Sequence, residues 1–160
     1  MIYIEATGSN KKIRDEVEKA CEYFIQRLMP RLKNLDITIE LIRKLKEKDE
    51  VWGDCTWEDQ NHNPREFTIR LDSTVSTKDL IDTLAHECVH VRQYVRGELV
   101  DLARESRKVK WRGKRVDWYD SPKEPWEKEP NQLSPKLYRE WISYKSVSYT
   151  HLRAHETVRN

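Results

Sequence analysis

The residues best placed to do chemistry are two histidines and a glutamate between them: His86, Glu87 and His90, in the run His-Glu-Cys-Val-His. In a helix of about 3.6 residues per turn, His86 and His90 lie one above the other on a single face, so two imidazole nitrogens can reach one ion. This is the HExxH spacing of zinc sites. Glu87 falls about 100° round from His86, too far to bind the same ion easily. It can instead hold a water bound to that ion, which is what a general base in metal-assisted hydrolysis must do. Two histidines four apart also occur as a solvated or core pair, so the spacing needs support from its surroundings.

The flanking residues supply that support. Ser76 and Thr77 offer an N-cap, Asp79 follows Ser76 at capping-box spacing, and Gly97 supplies a C-terminal stop. Between them Leu80, Ile81, Leu84, Ala85, Cys88, Val91 and Val95 make an apolar stripe at helical period, beside the histidine face. The pattern predicts a helix within residues 77–97, buried on one side, with its histidines at the edge of that side.

Composition places this helix in an ordinary globular chain. With 160 residues, 37% hydrophobic content, six Trp and seven Tyr, the chain suits one domain and can supply a core despite its high charge. A net charge of +2, from 30 basic against 28 acidic residues, is near balance and gives no warrant for a nucleic-acid or membrane partner. No apolar run approaches the roughly 18 residues of a membrane span, and no signal-peptide core opens the chain. The expectation is a soluble, unexported, cytoplasmic protein. Cys21, Cys55 and Cys88 are odd in number and widely spaced, which predicts free thiols in a reducing compartment.

Residues 2–6 read as a strand. Ser9 and Asn10 then offer caps for a core-packing helix in which Ile13, Val17, Cys21, Phe24, Ile25 and Leu28 recur at spacings of three and four, ending near Met29 and Pro30. Residues 35–42 alternate, with Ile37, Ile39 and Leu41 on one face. A charged run over 43–50, read as a solvated turn or edge, separates them from a second strand over 51–57. Asn61, His62, Asn63 and Pro64 signal a turn, with His62 a turn residue, and residues 66–72 alternate again around Phe67, Ile69 and Leu71. The fold class is therefore α+β: a small mixed sheet with an N-terminal core helix, the histidine helix and a C-terminal helix.

Two histidines leave a catalytic zinc one protein ligand short, so a third must come from after the helix. Residues 111–126, WRGKRVDWYDSPKEPW, read as a short hairpin or ordered loop, and Glu127, Lys128, Glu129, Pro130 and Asn131 follow at once. A short helix over 137–144 carries Leu137, Trp141 and Tyr144. If the segment from Glu127 to Asn131 is helical, Asn131 falls one turn on from Glu127 and can support it. Cys55 lies upstream of the motif in the same sense as the cysteine ligand of peptide deformylases, but the other segments of that family are missing.

HECVHVRQYVRGEL, the downstream WRGK and YDSPKEPWEKE resemble the metallopeptidases encoded by tailed bacteriophages and some bacteria, relatives of the SprT-like and gluzincin peptidases. The resemblance covers roughly residues 72–141. It implies a minimal zincin-like domain, in which the last strand before the metal helix usually forms the sheet edge beside the cleft. It further implies a Zn2+ held by His86, His90 and a Glu of the PWEKE segment. In related gluzincins with an ExEA pattern the first Glu is the ligand, which matches Glu127, and Glu129 would then be a supporting group or helix cap. This chain has Pro130 where Ala is usual, and Pro is expected only in the first helical turn. SprT-like proteins commonly add a cysteine-rich zinc ribbon; no CxxC occurs here.

Residues 146–160, SVSYTHLRAHETVRN, break from the Trp- and Lys-rich style before them and resemble translated sequencing-adapter readthrough. His151 and His155 imitate a metal pair, but no Glu follows the first His, and the expectation is a domain over 1–145 followed by a non-native tail. The functional expectation is a zinc metallopeptidase acting on a protein or peptide substrate as a monomer, in the bacterial host cell if phage-encoded. Glu87 would be the general base, with Tyr119, Tyr94 and Tyr138 as candidates to stabilise the oxyanion. The alternatives are a catalytically silent binding or regulatory module on the same fold and a structural zinc site. The intact Glu87 favours catalysis, since neither alternative requires a carboxylate there.

Overall fold

The computed structural model describes residues 1–103, 108–117 and 124–158. Among them are seven strands and four helices: β1 (Ile2–Thr7), α1 (Lys11–Leu28), β2 (Leu35–Ile42), α2 (Leu45–Asp49), β3 (Gly53–Trp57), β4 (Glu66–Asp72), α3 (Thr77–Val95), β5 (Leu99–Ala103), β6 (Lys108–Trp111), β7 (Lys114–Asp117) and α4 (Pro125–Val158). The fold is α+β, with a four-stranded sheet ordered β1-β2-β4-β3 and a three-stranded sheet ordered β5-β6-β7.

Alternation along β2 and β4 decides which sheet face is covered. Leu35, Ile37, Ile39 and Leu41 of β2 and Phe67, Ile69 and Leu71 of β4 are buried, and they form one core with the apolar stripes of α1 and α3. β1, β2 and β4 run parallel, which requires the crossover that α1 makes, and β3 adds antiparallel to β4. The sheet edge beside α3 is therefore β3. The resemblance implies β4 there, but β4 hydrogen-bonds to β2 on one side and to β3 on the other and is an interior strand.

Both long core helices start and stop on chemistry visible in the chain. Asn10 caps α1, its side-chain oxygen accepting from the Ile13 N–H at 3.0 Å. Ser76 caps α3 by accepting from the Asp79 N–H at 3.2 Å. Gly97, at φ +70°, ends α3: the Glu98 N–H donates to the Gln93 carbonyl at 2.9 Å and the Gly97 N–H to the Tyr94 carbonyl at 3.1 Å, a Schellman arrangement. β6 and β7 meet through Arg112 and Gly113, both at positive φ, the geometry a two-residue hairpin turn requires.

Two expectations about the elements change. The charged run over 43–50 contains α2, because Leu45 inserts into the core at 1% exposure. The short helix expected over 137–144 is the middle of a 34-residue helix, α4, with Pro125 at its first position and Pro130 and Pro135 inside it. Trp126, Pro130, Ser134, Leu137 and Trp141 are buried at spacings of four, four, three and four, so α4 has a continuous inward face that outweighs the loss of two backbone hydrogen bonds. Residues 146–158 continue that helix, and Ser146, Val147, Tyr149 and Thr150 are exposed on it. No helix of the described residues is long and apolar enough to cross a membrane.

Where β3 begins it passes close over α3. A Cβ on Gly53 would sit 2.7 Å from Thr83 Cγ2 and 3.0 Å from the Arg70 carbonyl oxygen. Gly53→Ala is therefore expected to push β3 away from α3 and to lower stability by about 1–3 kcal/mol in chemical denaturation; an unchanged midpoint would show that the strand can move freely. Truncation after Lys145 should leave the melting temperature within about 2 °C of the full chain, because the residues removed through Thr150 are mostly exposed and surface changes cost little.

Candidate metal centre

The site is made by one helix presenting side chains at helical spacing and a second helix closing over them. The apolar stripe of α3 seats it on the sheet, which leaves His86 and His90 on the flank that faces α4. Their rings stand 5.0 Å apart at 69°. Trp126, at 1% exposure, anchors the first turn of α4 in the core, with Trp111 of β6 packed edge-on to it at 6.3 Å. The next residue in the chain is Glu127, whose carboxylate is thereby delivered between the histidines. Its Oε2 lies 2.8 Å from His86 Nε2 and its Oε1 lies 3.0 Å from His90 Nε2.

These three donors fit a metal ion. Their ligand atoms all fall within 4.8 Å of one another, and they form the one such cluster among the described residues. A tetrahedral zinc about 2.0–2.1 Å from each donor needs donors about 3.4 Å apart, and the Glu127 oxygens stand 2.8 and 3.0 Å from the histidine nitrogens. Two imidazole nitrogens and one carboxylate oxygen are also a zinc-type donor set. Because a carboxylate can only accept, each Nε2 facing it carries a proton when no ion is bound, and a cation would take the place of those protons.

The electrostatics match this geometry. Burial opposes ionisation of Glu127, but hydrogen bonds from His86 and His90 outweigh it and bring the carboxyl down to about 2. Burial pushes the neighbouring Glu87 up to about 7; the two histidines pull it back, while Glu127 and Asp54 add to the rise. Burial likewise works against a charged His90, and its hydrogen bond with Glu127 more than compensates, raising it. Glu87 is 5% exposed and reaches a cleft of about 380 Å³ also bordered by Trp52, Gly53, Asp82, His86 and Glu127.

The remaining candidates are placed as follows. Asn131 lies in α4 one turn after Glu127 and lines the cleft, yet its side chain makes no hydrogen bond to the Glu127 carboxylate. Glu129 neither caps a helix nor touches the histidines; it forms an ion pair with Arg92 of α3 at 2.9 Å. Tyr94 is 7% exposed and packs on Phe67 at 6.0 Å, and Tyr138 is packed against the core, so neither lines the cleft. Tyr119 lies outside the described residues. Cys55 is in β3, outside the donor cluster, its thiol pushed up by burial and by Glu87. His62 is exposed in the loop between β3 and β4.

The residue missed from the sequence is Gln93. It is fully buried, its Oε1 lies 2.9 Å from His90 Nδ1, and its Nε2 donates to the Trp126 carbonyl at 2.9 Å. The available signal was a polar residue three positions after His90, on the same helical face.

Metal analysis should find about one zinc per chain, and His86→Ala or His90→Ala should abolish it by leaving two protein ligands. Stoichiometric zinc in both variants would sink the assignment. In a titration with a competing chelator, Glu127→Ala should weaken zinc far more than Glu129→Ala, whose partner is Arg92 and whose effect should not exceed the tenfold to about hundredfold range of supporting groups. Comparison with family models, curated proteins and solved structures finds no match to this chain.

Proposed function

We propose that this protein is a zinc-dependent metallopeptidase with Glu87 as its general base. The observation that carries the reading is the convergence of His86, His90 and Glu127 on one point while the next residue after His86 places a buried carboxylate at the same cleft. A zinc ion held by those three residues would lower the pKa of a water towards about 7 and polarise a carbonyl oxygen. Three protein ligands at an open cleft suit a catalytic site, whereas structural zinc sites close with four.

The chain's own part in hydrolysis follows from Glu87. Its carboxylate accepts a proton from the attacking water as the new C–O bond forms. It then returns that proton to the amide nitrogen as the C–N bond breaks, so the proton is conserved through the cycle. The surrounding apolar core holds the carboxylate in place and strengthens its interaction with the reacting groups by excluding water. Gly53 and Trp52, at the start of the edge strand β3, border the cleft where an extended substrate would lie.

The test is cleavage of a broad peptide library with and without a chelator, using wild type and Glu87→Gln. The variant keeps the size and hydrogen-bonding reach of Glu87 but cannot take the proton, so it should retain zinc while turnover falls at least about a hundredfold. Undiminished cleavage by Glu87→Gln would exclude Glu87 as the base. Zinc binding with no cleavage by wild type would favour a binding module.

A further inference from the structure

Pro130 and Gln93 are connected through one backbone atom. In an α-helix the N–H of residue 130 would donate to the carbonyl of Trp126, but proline has no N–H. That carbonyl is instead met by Gln93 Nε2 at 2.9 Å. A carbonyl can only accept, so the amide nitrogen of Gln93 must be the atom facing it, and this settles which way the amide is turned. Gln93 Oε1 therefore faces His90, 2.9 Å from Nδ1. An amide oxygen is also only an acceptor, so His90 Nδ1 is the donor.

We propose that Gln93, seated by its hydrogen bond to the Trp126 carbonyl, is the positioning residue of His90, holding a proton on Nδ1 so that Nε2 is the nitrogen that gives up its proton to a metal ion. This rests on the metal-site reading above and adds to it the means by which one ligand is oriented. The position is well built for the task. Gln93 has 0% exposure, its own carbonyl is held by Glu98 in the Schellman turn, and Trp126 is anchored at 1% exposure, so neither end of the link is free to drift. Ligating histidines commonly donate their other ring N–H to an acceptor that fixes the tautomer. Here that acceptor is held by the helix that also carries Glu127, so two ligands from different elements are brought into register by one side chain.

The experiment separates this link from zinc binding itself. In the metal-free protein, the His90 Nδ1–H should give a slowly exchanging imidazole signal in proton–nitrogen NMR, and Gln93→Leu, close in size, should lose it. Gln93→Glu keeps an acceptor for Nδ1 but sets an oxygen against the Trp126 carbonyl, so it should recover the signal only in part. In chelator titration Gln93→Leu should bind zinc about tenfold to a hundredfold more weakly, with Gln93→Glu between it and wild type. A wild-type protein with the protected proton but no zinc would refute the metal reading and leave the link standing. Absence of the protected proton in wild type, or a Gln93→Leu variant with unchanged signal and affinity, would overturn the proposal.

Discussion

The packing of α4 against α3 is the constraint on which the site depends. Neither helix carries a complete donor set: α3 contributes two nitrogens and a general-base candidate, and α4 contributes one carboxylate. They are brought together because α4 buries Trp126, Pro130, Leu137 and Trp141 along a single face. The link from Gln93 to the Trp126 carbonyl and the ion pair of Arg92 with Glu129 lie on the same interface, on either side of Glu127. A slip of α4 by one residue would rotate Glu127 about 100° away from the histidines, so the apolar contacts specify the chemistry as much as they stabilise the fold.

A buried carboxylate beside a cluster of titratable groups is ordinarily a cost to stability. Here Glu87 sits at 5% exposure between two histidines and within reach of Glu127 and Asp54, in an environment whose balance is set by burial first. The adjacent Glu127 has the opposite balance, because two histidine hydrogen bonds outweigh its burial. Two carboxylates close in space are thus pushed in opposite directions by their surroundings, Glu127 towards the ionised form and Glu87 towards the protonated one.

Around this centre the rest of the fold acts as support. α1 packs its stripe against both α3 and the sheet, and its Tyr23 and Phe24 reach Trp141 of α4 at 5.6 and 6.5 Å, so the three long helices share one core. The small second sheet contributes through Trp111, which packs on Trp126. Gly53 lets the edge strand approach α3 closely at Thr83, one turn before His86, and both residues line the cleft.

What could be read from the chain alone was whatever depends on residues near one another in it. The boundaries of α1, β2, β4 and α3, their caps and their buried faces follow from periodicity and capping chemistry, and the placement of His86, Glu87 and His90 on one helix follows from turn geometry. The resemblance pointed to Glu127 from a short motif, but which of two glutamates faces the histidines depends on the rotation of α4. That rotation is set by a stripe passing through a proline and a serine, Pro130 and Ser134, residues that do not announce a buried helix face. The long α4, the edge position of β3 and the insertion of Leu45 were hidden for a related reason: each is decided by partners far away in sequence, and those contacts override local propensity. Gln93 shows this most clearly, since its hydrogen bonds to His90 and to the Trp126 carbonyl join two helices that only tertiary packing brings together.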